Sequence, residues 1–171
     1  MTKLHTTGKL GCFLLTATLS TPSAVAAVKN LCTPNEQVFF SCELPKKIVS
    51  LCSAGNAGPG YMEYRFGQPG NIELRYRGGS GASAAFMRTD VLGASNAADL
   101  IWFENRGVQY VLNFPVRGAP SLEVIKSGRT LARMSCKNGW GSSSGDPAAR
   151  SPFIVDKPTG SYPELPVSGN R

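Results

Sequence analysis

The run YMEYRFGQPGNIELRYR, residues 61–77, decides the fold class. Two segments of alternating apolar and polar residues, 61–66 and 72–77, flank the turn-forming cluster Gly67-Gln68-Pro69-Gly70-Asn71. Alternation puts successive side chains on opposite faces of a strand, and a turn cluster between two such runs marks a β-hairpin. Pairing Phe66 with Ile72 sets Tyr64 against Leu74 and Met62 against Tyr76 on one face. The same register sets Arg65 against Glu73 and Glu63 against Arg75 on the other. One apolar face and one charge-paired face come from a single register. Glu63 and Glu73 are then expected on a solvated sheet face, not as an acid–base pair.

Working outward, the same short segments recur at 38–42, 47–52, 84–89, 100–103, 108–114, 122–126 and 130–136, and none sustains a helical period. Strands at this spacing predict an all-β domain, a small antiparallel β-barrel or sandwich of about eight or nine short strands. A second hairpin is expected across Glu104-Asn105-Arg106-Gly107, with Ile101, Phe103, Val108, Tyr110, Leu112 and Phe114 on its buried face. Leu100, Trp102 and Val111 fall on the opposite face, which is apolar enough to call for a covering layer or a partner. A third hairpin is expected across the three-residue loop Ser127-Gly128-Arg129, aligning Glu123 with Arg133 and Leu122 with Met134. Residues 77–83 (RGGSGAS) read as a plain Gly-rich connection. Residues 138–171, rich in Pro, Gly and Ser, predict an irregular tail in which Phe153-Ile154-Val155 docks briefly at most. A chain ending near residue 140 is therefore expected to stay folded.

The chain has 171 residues, 17% of them charged, and a formal charge of +7. Residues 1–26 read as a secretory signal peptide: Lys3 and Lys9, an apolar run from Leu10 to Leu19, then Ala24-Val25-Ala26 before the cleavage point. The run is too short for a transmembrane anchor. Cys12 precedes most of the apolar run, which argues against lipidation. The expected destination is the bacterial periplasm, or secretion beyond it. Residues 27–137 form the predicted β domain.

Removal of the leader takes the charge from +7 to +5 and removes His5, the only histidine. A chain without His runs no Ser-His-Asp or Cys-His relay and builds no His-containing zinc site. No dinucleotide fingerprint or phosphate loop is present. The expectation is a protein that is not an enzyme, with no catalytic residue, cofactor or metal.

Cys32, Cys42, Cys52 and Cys136 remain, with no CxxC pair, and in an oxidising compartment they predict two disulfides. Four cysteines allow three connectivities. Pairing Phe40 with Leu51 and Cys42 with Val49 puts Val38, Phe40, Cys42, Val49 and Leu51 inside, while Cys52 faces the other way. Cys136 shares its face with Met134 and Ala132, also inside. The economical solution is Cys42–Cys136, with Cys32–Cys52 pinning the N-terminal segment to the back of the first hairpin.

The run VFFSCELPKKIVSLC with Cys32 upstream, followed by YMEYRFG, FENRGVQYVLNFPV and LARMSC, resembles a family of small exported disulfide-containing β proteins of Gram-negative bacteria, over about residues 30–137. In size, export and cysteine placement the chain is also similar, more loosely, to periplasmic lysozyme inhibitors and to immunity proteins against type VI secretion amidases. The inhibitors' SGxxY loop is missing, and Gly79-Ser80-Gly81-Ala82-Ser83 only echoes it.

These resemblances imply a non-catalytic periplasmic binding protein, an inhibitor or immunity-type protein that neutralises a cell-wall hydrolase. Trp102, Asn105 and Arg106 are the expected binding residues, because Trp and Arg anchor interfaces. A positive chain points to a neutral or acidic hydrolase as partner. Alternatives are an envelope glycan- or lipid-A-binding module, or a structural envelope protein with no fixed ligand. The charge carries no basic–aromatic motif for nucleic acid.

Overall fold

The computed structural model describes residues 28–54, 60–80, 86–94, 96–141 and 151–161. The expected leader, residues 81–83 of the Gly-rich connection, and residues 142–150 and 162–171 of the tail lie outside the described residues. The described residues form eleven strands: β1 (Glu36–Glu43), β2 (Ile48–Ala54), β3 (Met62–Gln68), β4 (Asn71–Gly78), β5 (Phe86–Leu92) and β6 (Ala97–Asn105). They continue with β7 (Val108–Pro115), β8 (Ser121–Lys126), β9 (Arg129–Ser135), β10 (Asn138–Gly141) and β11 (Ile154–Asp156). One sheet runs β10-β1-β2-β3-β4 and the other β11-β5-β6-β7-β8-β9. The two sheets remain separate, so the fold is a β-sandwich and not a closed barrel.

The core between the sheets follows from the alternation. Phe40, Cys42, Val49, Leu51, Met62 and Tyr64 from one sheet meet Phe86, Ile101, Phe103, Leu112, Phe114 and Leu122 from the other. Phe103 sits at its centre, stacked on Tyr76 at 4.2 Å and on Tyr110 at 4.9 Å between ring centroids. Tyr64 and Phe86 also approach that ring, at 4.8 and 5.5 Å. Offset and edge contacts of this kind add to area burial.

Both expected disulfides are formed, Cys32–Cys52 and Cys42–Cys136. The first hairpin pairs Phe40 with Leu51 and Cys42 with Val49, as expected. A bulge between Val38 and Phe40 turns Phe39 into the core and leaves Val38, expected inside, half-buried.

Bulges also correct the other registers. In the third hairpin Glu123 meets Arg133 and Leu122 meets Met134, yet the loop is the two-residue turn Ser127-Gly128, with Lys126 opposite Arg129. A bulge between Val124 and Ile125 absorbs the odd residue, so the short turn and the aligned charges coexist. In β3–β4 the pairing is Phe66 with Leu74, Tyr64 with Tyr76 and Glu63 with Arg77, not the expected set. The turn there is Pro69-Gly70, with Gly70 at φ 79°, the residue order of a type II turn. Such turns splay the flanking strands, and a bulge at Phe66/Gly67 restores the ladder. A side chain at Gly67 would collide with the backbone of Asn71 and Glu73. The shift leaves the predicted faces intact and exchanges only the partners.

Two described segments of the expected irregular tail form strands instead. β10 pairs with β1, and β11 runs parallel to β5. Ile154 is buried in the core, and Phe153 packs on it beside Gly60.

Candidate functional site

Among the described residues, two polar groupings are candidates for a site, and the first is a turn end of the six-stranded sheet. Asn105 pairs with Val108 and Lys126 with Arg129, leaving Arg106-Gly107 and Ser127-Gly128 as two-residue turns. Both central residues of each turn are left-handed: Arg106 at φ 54°, Gly107 at 72°, Ser127 at 48° and Gly128 at 72°. That geometry matches the twist of a hairpin, but it favours Asn or Gly at the first position. Arg and Ser there hold their backbones in a costly conformation. Arg106 and Ser127 are exposed and Asn105 is half-buried. Glu104, Gly107, Gln109, Ser127 and Gly128 line a cleft of about 340 Å³ between the turns. Arg106, Lys126 and Arg129 are exposed beside Glu104, so this end is positive.

Trp102, expected beside Asn105 and Arg106 at a binding surface, is only 6% exposed. It lies on the outer face of the sheet in a small apolar cluster with Leu100, Val111 and Ile125, bordered by Met87 and Val91. The structure places Asn105 and Arg106 together at the turn and Trp102 apart from them, under cover.

The second place is the outer face of the five-stranded sheet. Here the solvated face expected for Glu63 is overturned: the Glu63 and Arg65 side chains are 4% and 3% exposed. An N-terminal strap, residues 28–33, crosses that face. Cys32–Cys52 pins it. The Leu31 N–H donates to Ser50 Oγ, and Ser41 Oγ donates to the Lys29 carbonyl. Beneath the strap Arg65 donates to both oxygens of Glu36 at 2.7 Å, to Glu63 Oε1 at 2.6 Å and to the Leu31 carbonyl at 2.8 Å. Arg75 and Arg77 add bonds to Glu63 at 3.1 and 2.6 Å. Tyr61 Oη donates to Glu36, and the Arg77 guanidinium lies 3.9 Å over the Tyr61 ring. Glu73, expected opposite Arg65, pairs with Lys47 instead.

Burial alone pushes the Glu36 carboxyl upward, but hydrogen bonds from Arg65, Tyr61 and Thr33 outweigh it and hold it at about 2. Burial likewise opposes the charge on Glu63, and Arg65 and Arg77 overcome it, so its carboxyl also stays below the ordinary range. The bond to Glu36, with burial, raises the Tyr61 phenol. Every carboxylate oxygen is matched by donors, which is what a charge out of water requires.

Sequence reasoning missed this network. The signal available was Cys32–Cys52: a strap pinned to the back of a hairpin covers the alternating charges beside it.

Neither a protein-family model, nor a curated protein, nor a solved structure matches this chain.

Proposed function

We propose that this chain is a non-catalytic binding protein of the bacterial cell envelope that neutralises a cell-wall hydrolase, and that it docks through Asn105, Arg106 and the neighbouring Ser127 turn. The observation that carries this reading is the exposed Arg106 held left-handed at φ 54°. Strain kept at a protruding residue is a mark of function over stability. The paired strands behind the two turns fix the backbone that carries Arg106, which lowers the backbone ordering cost on binding. The positive end favours a neutral or acidic hydrolase. The two disulfides are compatible with an oxidising compartment such as the periplasm.

The test is stoichiometric inhibition of peptidoglycan hydrolysis by neutral and acidic envelope muramidases and amidases. Arg106→Gly keeps the left-handed turn and removes the guanidinium. It is expected to raise stability by about 1 kcal/mol while weakening inhibition by about tenfold or more. No inhibition by the native chain, or full inhibition by Arg106→Gly, rejects the assignment.

A further inference from the structure

The ion-pair network that runs from beneath the strap to its solvent edge carries one more positive charge than negative. Among the described residues, the carboxylates that Arg65, Arg75 and Arg77 pair with are Glu36 and Glu63. The adjacent charges are already balanced in pairs, Lys47 with Glu73 and Lys29 with Glu43. Both carboxylates are fully used: Glu36 takes Arg65, Tyr61 and the Thr33 N–H, and Glu63 takes all three arginines. Both remain ionised down to acidic pH, so the surplus cation persists.

The surplus has an outlet. Arg75 is tethered to Glu63 through Nη1, and its side chain is 57% exposed. It forms one wall of an open cleft of about 510 Å³ between the strap and the Pro69-Gly70 turn. Leu31 and Cys32 form the strap wall, and Asn71 and Ile72 follow the turn. The Asn30 amide shapes that wall, accepting from the Cys32 N–H and donating to the Val28 carbonyl. The exposed Asn71 amide stands at the rim. The volume falls within the range of ligand sites, about 300–1,000 Å³. The polar lining suits hydroxyl groups better than an apolar ligand.

We propose that this cleft binds an acidic saccharide, with Arg75 taking its carboxylate or phosphate and Asn71 its hydroxyls. A guanidinium fixed at one nitrogen by a buried carboxylate presents its remaining N–H groups in a set direction, which suits an oxyanion. The site is separate from the Arg106 turn and does not depend on it.

The disulfide-intact protein is titrated calorimetrically with glucuronate, glucose 6-phosphate, inorganic phosphate and glucose. At least one of the two acidic sugars is expected to bind: glucuronate alone identifies a carboxylate ligand, and glucose 6-phosphate alone a phosphorylated one. Arg75→Gln is expected to weaken that binding about tenfold, the worth of a charge-assisted hydrogen bond, with the melting temperature unchanged. Asn71→Asp, which sets a carboxylate at the rim, is expected to weaken it as well. Arg117→Gln, an exposed arginine elsewhere, is expected to leave it intact. The proposal is overturned if neither acidic sugar binds, if glucose binds as well as they do, or if inorganic phosphate equals glucose 6-phosphate. It is equally overturned if Arg117→Gln weakens binding as much as Arg75→Gln.

Discussion

At the scale of single residues, two buried polar groups carry opposite consequences. Glu36 is ionised and fully bonded, with its carboxyl moved from 4.5 to about 2. A carboxyl depressed in the folded state adds stability above its unfolded value and loses it as pH falls through the folded one. Denaturation is therefore expected to show roughly 3 kcal/mol disappearing between about pH 5 and pH 2. Denaturant titrations across that range check this, and a Glu36→Gln protein should show a flatter profile. Tyr64 is the contrary case. Its ring fills the core, and its hydroxyl finds no hydrogen-bond partner among the described residues. Burial raises its phenol well above the ordinary range. An unpaired buried hydroxyl costs about 1–3 kcal/mol, so Tyr64→Phe should raise stability by about 1 kcal/mol or more. A lower denaturation midpoint in that variant would show that the hydroxyl is satisfied.

At the scale of elements, a three-residue strand outweighs its length. β11 adds the edge strand beside β5, with Ile154 against Phe86 in the ladder and in the core. Arg88 reaches Asp156, and Thr89 Oγ1 donates to the Pro158 carbonyl at 2.8 Å. Composition marked this region as tail because Pro, Gly and Ser hide a short apolar run. Ile154→Ala should lower stability by about 2–4 kcal/mol, as core truncations do. A chain ending near residue 140 should lose that much or more. An unchanged melting temperature in either protein would show that β11 adds nothing.

At the scale of the whole molecule, each outer face of the sandwich holds buried side chains, Glu63 and Arg65 beneath the strap on one and the cluster around Trp102 on the other. Trp102→Ala should cost about 3–5 kcal/mol of stability. The chain has two tryptophans, so a Trp140→Phe protein reports Trp102 alone. Blue-shifted emission resistant to acrylamide is expected there, and strong quenching would show an open face.

The positions of β1 to β9, their inward faces apart from the Val38–Phe39 exchange, and both disulfide pairings were legible in the sequence. They rest on period-2 alternation, which needs no knowledge of neighbours: Cys42 and Cys136 each sit among residues that alternation turns inward, and Cys52 does not. The Arg106-Gly107 turn was legible from its glycine between two alternating runs, although Glu104 and Asn105, expected in the connection, belong to β6. Strand partners were not, because a shift of two residues keeps every face, and only turn geometry and a bulge choose between such registers. The fate of Glu63, Arg65 and Trp102 was decided by tertiary structure alone. Alternation tells which face a side chain takes, and only the arrangement of distant segments tells whether that face meets water.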